Sequence, residues 1–211
     1  MSNLVHPEPP PDLHARVLPL LPLSGSWARA YRLDHGPLYF GRHGAERFDD
    51  PDKVFGVCYF GENVDCAFIE TVPVPLELPG RRLFAVRSEA LVARGWATVG
   101  LARADKPLVL IDLTGSGLSQ VGADNDLCTC RDYAVPQRWS AALHAHPAVA
   151  DGILYRARHD PSLTSVALFD RAEAKIVMVP RGAWGSRGMV AELARIIGKY
   201  AVSTLPPDNP G

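Results

Sequence analysis

The sequence predicts a single domain of the mixed α+β class. Short apolar runs typical of strands alternate irregularly with short helical patterns. Of the 211 residues, 47% are hydrophobic, which is enough to form a core. Proline (19) and glycine (18) are more frequent than a helical bundle would tolerate. The length fits one domain with extensions, and we find no internal repeat.

Strands are predicted where apolar residues cluster between turn residues. The first covers residues 27–33 and is followed by a loop from Asp34 to Asp52, rich in glycine, proline and charge. A loop of this length inside a compact domain is usually functional. Further strands are expected over residues 55–60, 81–87, 107–113, 152–155 and 165–169.

Three helices are predicted from capping residues and apolar spacing. Asn63 can cap a helix that Pro73 ends near Val72, with a buried stripe of Val64, Ala67, Phe68 and Thr71 and with Glu70 at its flank. Residues 135–146 form the second. The third, over 186–200, is the clearest amphipathic helix. Its apolar stripe comprises Met189, Leu193, Ile196, Ile197 and Tyr200.

The ends of the chain are expected to be accessory. Residues 1–23 form a proline-rich N-terminal extension, of which residues 1–12 are expected to be extended or disordered. The main domain is expected over residues 24–185. Residues 186–211 comprise the amphipathic helix and a tail.

Charge and composition argue against several functions. The net charge of −1 and the pI near 6.6 give no electrostatic footprint for nucleic acid or an anionic membrane. No apolar run reaches the ~18 residues of a transmembrane helix. The start of the chain lacks the apolar core of a secretory signal, so we expect a cytoplasmic protein with reduced cysteines.

Two short patterns resemble cofactor-binding motifs, but each lacks a feature that its motif requires. Cys128-Thr129-Cys130 is spaced more tightly than a structural zinc pair, and no second pair exists, so no metal is expected. Gly115-Ser116-Gly117 follows a predicted strand, but it lacks the third glycine and the acidic residue of a dinucleotide-binding Rossmann motif.

Three stretches together resemble one known family. They are AYRL with Arg32, RFDDPDKVFGVCYFGENVDCAFIE over residues 47–70, and DGILYRARHDPSLTSVALFD over residues 151–170. In this order they resemble the RES family, named for its Arg, Glu and Ser. The resemblance covers residues 27–180. It implies a fold similar to that of ADP-ribosyltransferases and the activity of a bacterial toxin that attacks NAD+. NAD+ is then a substrate and no resident cofactor is expected. The implied protein partner is an Xre-type helix-turn-helix antitoxin.

The resemblance assigns the charged residues of the site. Glu70 would stabilise the positive charge that builds on the ribose carbon as the nicotinamide–ribose bond breaks. Arg32 and Arg47 would hold the dinucleotide, since a guanidinium fork matches phosphate and keeps its charge. Without the resemblance, Glu70 is a solvated helix-end residue and each arginine an ordinary surface ion pair. Asp49 and Asp50 are the local partners for Arg47.

The resemblance also assigns aromatic residues to NAD+ binding. Tyr59 would stack on the nicotinamide or adenine ring and form a hydrogen bond through its hydroxyl. Tyr31, beside Arg32, is a weaker candidate for the same role. Core packing explains both tyrosines nearly as well from the strand pattern alone.

One position departs from the family pattern. Ala157 stands where the resemblance leads us to expect the catalytic serine, after Tyr155 and Arg156. Three interpretations remain open. The activity is lost or reduced, the sequence is an engineered inactive form, or one of Ser162, Thr164 and Ser165 supplies the hydroxyl.

The function implied is that of a toxin that cleaves the nicotinamide–ribose bond of NAD+, with water or phosphate as the favoured acceptor. One alternative is an ADP-ribosyltransferase that modifies a protein. Another is a non-catalytic protein that binds NAD+ or a partner, for which Ala157 is the best support.

Overall fold

The computed structural model describes residues 7–23 and 25–207. The described residues contain strands and α-helices, with short 3₁₀-helices at Leu13–Ala15, Asp170–Lys175 and Arg187–Met189. The strands are β1 Leu20–Leu23, β2 Trp27–Arg32, β3 Val57–Gly61, β4 Val74–Leu78, β5 Arg81–Arg87, β6 Arg94–Leu101, β7 Leu108–Leu113, β8 Gly152–Arg156, β9 Thr164–Phe169, β10 Ile176–Ala183 and β11 Ser203–Leu205. The helices are α1 Val64–Thr71, α2 Ser88–Val92, α3 Ser116–Val121, α4 Asp126–Thr129, α5 Ala134–His144 and α6 Val190–Tyr200.

The predicted α+β class and single domain are confirmed, and the chain forms two compact units that alternate along the sequence. The first unit comprises the described residues within 1–25, 39–59 and 101–177. The second comprises those within 26–38, 60–100 and 178–211. Strand β3 begins in the first unit and ends in the second.

The first unit contains the sheet order β1-β7-β8-β9-β3. Strand β7 pairs antiparallel with β1 and parallel with β8, while β8 pairs antiparallel with β9. Its core includes Trp139 of α5, Phe48 and Phe169, each with no exposed surface. The long loop that contains Phe48 is therefore anchored in this core.

The second unit contains the order β3-β2-β6-β10 and a smaller sheet in the order β11-β5-β4. Strand β2 pairs antiparallel with β3 and with β6. The core forms around Phe68 of α1, whose ring centroid lies 5.0 Å from that of Trp184. Ile196 of α6 is buried in the same core.

Most predicted elements are confirmed within a few residues. The first strand, the loop over 34–52, the strand before α1, and strands β5, β7, β8 and β9 lie where the sequence predicts them. The side chain of Asn63 accepts a hydrogen bond from the amide of Cys66 at 3.0 Å, so it caps α1 as predicted. Helices α5 and α6 are confirmed, and the α6 stripe packs in the core of the second unit.

The N-terminal residues differ from the expectation. Residues 1–6 lie outside the described residues, but Leu13 and Leu18 are buried in the first unit and β1 pairs with β7. The carbonyl of Pro7 accepts a hydrogen bond from Trp139 Nε1 at 2.9 Å. Residues 7–23 are therefore packed rather than disordered, because Leu13, Leu18 and Leu23 are buried in the core.

Helix α1 also differs in one respect. The predicted buried residue Thr71 is exposed, whereas Asp65 is buried. The Asp65 carboxylate forms ion pairs with Arg195 and with Lys199, whose Nζ lies 2.8 Å from Oδ2. These two cations of α6 compensate the buried negative charge of Asp65.

Candidate functional site

Arg47 is fixed inside the first unit rather than in a surface ion pair. Its side chain is 7% exposed, and Nη1 donates to the carbonyl oxygen of Cys130 at 2.8 Å. The guanidinium also lies over the ring of Tyr133, 4.7 Å from its centroid. The expected local partners Asp49 and Asp50 accept backbone amides instead. The surface ion-pair interpretation of Arg47 is therefore wrong.

Tyr59 holds the loop in which Arg47 lies. Its hydroxyl donates to Asp49 Oδ1 and accepts from the amide of Phe48, both at 3.0 Å. The other Asp49 oxygen accepts the amides of Ala45 and Glu46 at 3.1 Å. Burial, followed by the negative charge of Asp49, raises the pKa of Tyr59 well above its usual value, so the phenol stays protonated. The hydroxyl is thus engaged by the protein, while the role of the ring in stacking stays a prediction.

Ala157 lies directly after β8 and is buried, with 1% of its surface exposed. Its amide donates to the carbonyl of Leu163 at 3.1 Å, which closes the turn between β8 and β9. A hydroxyl added to this side chain would therefore be largely shielded from bulk solvent. The role expected for a hydroxyl at this position stays a prediction.

The three substitute hydroxyls lie in different environments. Ser162 is exposed, and its Oγ donates to Asp160 at 2.5 Å within the turn. Thr164 is half-buried opposite Arg156, and Ser165 is buried opposite Tyr155. Ser165 lies on the Tyr155 side of β9, since cross-strand partners share one face of a sheet. Of the three, only Ser162 occupies the exposed turn itself.

Arg32 lies at the end of β2 in the second unit, with its side chain 61% exposed. It forms a bidentate ion pair with Asp34, in which Nε lies 3.1 Å from Oδ1 and Nη2 lies 2.6 Å from Oδ2. The pKa of Asp34 falls to about 2, chiefly because this hydrogen bonding outweighs the opposing cost of desolvation. The charged guanidinium group of Arg32 is thus exposed to solvent.

Tyr31 is buried on the opposite side of the same strand. It is 7% exposed, and adjacent residues of a strand point to opposite faces of the sheet. The structure therefore does not bring the Tyr31 ring to the face that holds Arg32. Its assignment to NAD+ binding stays a prediction that this geometry does not support.

Arg94 is a charged residue beside Arg32 that the sequence interpretation missed. It is the cross-strand partner of Arg32 in the pairing of β2 with β6, and it is half-buried. Desolvation, followed by the charge of Arg32, lowers the pKa of Arg94. The signal was an arginine at the start of the apolar run RGWATVGL, which was not predicted as a strand.

Glu70 is half-buried in the last turn of α1. Asp65 ties the first turn of this helix to α6, and Phe68 anchors its centre in the core. Helix α1 packs against β2, the strand that contains Arg32. Glu70 therefore lies on a helix whose position is fixed at both its first turn and its centre.

The predicted site residues divide between the two units. Arg47, Tyr59 and Ala157 belong to the first, and Tyr31, Arg32 and Glu70 to the second. Within the first unit, the hydrogen bonds of Tyr59 bring it to the loop of Arg47. A single site that contains all of them stays a prediction.

The four cysteines are all reduced thiols. Cys58, Cys66 and Cys128 are buried, whereas Cys130 is half-exposed. Burial raises the pKa of the Cys128 thiol to about 12. Over residues 7–23 and 25–207, no group of histidine, cysteine and acidic side chains is arranged to hold a metal ion. In the same part of the chain, no helix is both long and apolar enough to cross a membrane.

Comparison with known proteins decides the family. The model of the RES domain matches residues 24–186, which is most of the chain. The chain belongs to the RES domain family. Among curated proteins, the chain is 29% identical over 101 residues to "Probable toxin y4kH" of Sinorhizobium fredii, a match that covers 43% of this chain and 79% of the relative.

A solved structure shows the same fold as this RES protein. It is a chain in the crystal structure of the M. tuberculosis MbcT–MbcA toxin–antitoxin complex, with a TM-score of 0.54 and 17% sequence identity. The match covers 77% of this chain and 84% of that chain. At this identity the likeness establishes the fold alone.

Proposed function

We propose that this RES protein is the toxin of a toxin–antitoxin pair and that it cleaves the nicotinamide–ribose bond of NAD+. The family match over residues 24–186 supports the toxin assignment. The names of a curated relative and of the structural neighbour, a probable toxin and a toxin–antitoxin complex, agree with this assignment. The observation that carries the chemical proposal is Glu70, a half-buried carboxylate on a helix fixed at its first turn and centre.

The carboxylate suits this reaction because breaking the bond leaves positive charge on the ribose. A negative charge held in place lowers the energy of that state without having to reorganise during the reaction. Glycoside cleavage passes through a similar oxocarbenium-like state, which paired carboxylates serve. The ion pairs of Asp65 with Arg195 and Lys199 support this role, because they hold the helix that contains Glu70.

The arginines suit the diphosphate of NAD+. Arg32 is exposed, Arg47 is buried and fixed by Cys130 and Tyr133, and the planar guanidinium group of an arginine matches the oxygens of a phosphate. Water or phosphate is the acceptor we favour, because the sequence contains no recognisable motif for a protein substrate. Ala157, which lacks a hydroxyl at the position of the family serine, favours a second candidate, a non-catalytic RES protein that binds NAD+ or a partner.

The decisive experiment is to incubate the purified protein with NAD+ and to measure free nicotinamide. We expect release that falls by about 10²–10³ in Glu70→Gln, because the charge acts mainly in the transition state. Glu89→Gln is the matched control, since Glu89 is an exposed carboxylate of the same unit. Equal release by wild type and Glu70→Gln contradicts the assigned role, and no release by wild type contradicts NAD+ cleavage.

The proposed partner is an Xre-type helix-turn-helix antitoxin encoded by the neighbouring reading frame. Expression of this RES protein alone should arrest growth, and co-expression of the partner should restore it. The two proteins should then purify together. Growth arrest that the neighbouring gene product fails to relieve contradicts this partner.

A further inference from the structure

Two arginines face each other across the pairing of β2 with β6. The antiparallel register places Arg32 directly opposite Arg94. The Cα atoms of such partners lie about 4.5–5.5 Å apart, and their side chains leave the same face of the sheet. Like charges in this position are destabilising. The fold therefore maintains a local excess of positive charge at this end of β2.

Arg94 is less compensated than Arg32. It is half-buried, and among residues 7–23 and 25–207 no carboxylate forms an ion pair with it. Its Coulombic neighbours are Arg32, which disfavours its charge, and Asp34, which favours it. Asp34 already accepts hydrogen bonds from Nε and Nη2 of Arg32. The single negative charge of Asp34 thus offsets only part of the positive charge of Arg32 and Arg94.

The same face of the sheet approaches the helix that holds Glu70. Ala30 and Trp96 are the next cross-strand partners on this face, and both belong to the core that includes Phe68 of α1. The ring centroids of Trp96 and Trp184 lie 6.3 Å apart, and the Trp184 ring in turn contacts that of Phe68. The arginine pair lies at the end of the face on which α1 packs.

We propose that Arg32 and Arg94 together form a diphosphate-binding site, and that Asp34 acts as an internal competitor that occupies Arg32 until a diphosphate displaces it. Two guanidinium groups on opposite strands can contact the two adjacent phosphates of a dinucleotide, whereas one group can bind only one of them bidentately. The identity of the ligand as NAD+ rests on the proposed function. The binding of a diphosphate rests only on the pair of arginines.

Displacement of Asp34 is feasible because both members of the Arg32–Asp34 pair are more than half exposed. Exposed ion pairs contribute little to stability. A diphosphate has a higher charge than one carboxylate and contacts Arg94 as well. Its binding therefore relieves the repulsion between the two arginines, which Asp34 compensates only in part.

The test uses inorganic pyrophosphate and the intact protein, with binding measured by calorimetry. We expect Arg94→Gln and Arg32→Gln each to weaken pyrophosphate binding by about 10- to 100-fold, the effect of losing a hydrogen bond to a charged group. Asp34→Asn should strengthen binding. Arg94→Lys should give an intermediate loss, because it keeps the charge and loses the fork, and it replaces Arg94→Gln if that variant does not fold.

The chain offers a matched control in the first unit. Arg103 and Asp105, which are also two residues apart in the sequence, form the same kind of bidentate ion pair. Nε lies 3.1 Å from Oδ1 and Nη2 lies 2.8 Å from Oδ2, and the two side chains are about as exposed as those of Arg32 and Asp34. Arg103 lies outside the strands, so it lacks the opposing arginine that Arg32 has. Arg103→Gln and Asp105→Asn should leave pyrophosphate binding unchanged. Equal losses in Arg103→Gln and Arg94→Gln would show general charge screening and overturn the proposal, as would weaker binding in Asp34→Asn.

The proposal and the proposed function fail in different ways. If pyrophosphate binding responds as expected but no nicotinamide is released, the diphosphate site stands and NAD+ cleavage fails. If nicotinamide is released and Arg94→Gln changes neither the KM for NAD+ nor pyrophosphate binding, the diphosphate site fails. In the expected case, Arg94→Gln raises the KM for NAD+ by about 10- to 100-fold and leaves kcat close to that of wild type.

Discussion

Tyr59→Phe should destabilise the protein through the loop that contains Arg47. The variant keeps the ring and removes one hydroxyl, which donates to Asp49 and accepts from the amide of Phe48. Phe48 is 0% exposed and Asp49 is 2% exposed, so water does not replace the lost partners. A hydrogen bond to a charged group contributes about 1.5–3 kcal/mol, and an unsatisfied buried donor costs about 1–3 kcal/mol. Because the two effects overlap, we expect a loss of about 3 kcal/mol in unfolding free energy.

The loss is measured by urea unfolding and by Tm, which should fall by about 6–12 °C for a chain of this length. Hydrogen exchange locates the effect, since the amide of Phe48 should exchange faster in Tyr59→Phe. Tyr39→Phe is the matched control, because the hydroxyl of Tyr39 contacts His43 in an exposed part of the loop. A Tyr59→Phe variant with the Tm of wild type and an equally protected Phe48 amide would refute the reasoning.

Three further predictions concern stability in acid, the reactivity of the cysteines and the rate of nicotinamide release. The pKa of Asp65 is lowered, first by its hydrogen bond from Arg195, so its stabilising effect is present above about pH 4 and lost as pH falls further. Asp65→Asn should therefore flatten the acid limb of unfolding free energy against pH. Cys130 should react first with iodoacetamide in the native protein, and Cys128 should stay protected, as peptide mass spectrometry would show. Ala157→Ser should raise nicotinamide release by about 10- to 100-fold, the effect of one hydrogen bond to a charged group. A loss of stability without faster release would place residue 157 outside the reacting site.

Three of the strands that the sequence did not predict were missed for the same physical reason. Strands β1, β4 and β10 each contain a proline, Pro22, Pro75 and Pro180, which argues against a strand because it removes a backbone donor. All three lie at the end of a strand order, where one side needs no partner. Edge position depends on the whole topology. It is absent from the local pattern by which the central strands were predicted.

Strand β6 was missed for a different reason. Gly95 interrupts its apolar alternation, and the structure explains the glycine, since a Cβ there would lie 2.7 Å from the carbonyl oxygen of Gly182. Close approach of two backbones requires glycine at the expense of strand propensity. Arg94 was missed together with its strand. Its position opposite Arg32 depends on the register of β2 with β6, which no local pattern specifies.

Alternation along β2 was available from the sequence and would have separated Tyr31 from Arg32, because neighbours in a strand face opposite ways. The connection between Tyr59 and Arg47 was not available in this way. In the sequence they are two separate candidates for NAD+ contacts. In the structure, the Tyr59 hydroxyl donates to Asp49, Asp49 accepts the amides of Ala45 and Glu46, and Arg47 in the same segment donates to Cys130. The tyrosine thus acts on the position of Arg47, and a loss of binding after its substitution does not by itself show contact with the ligand.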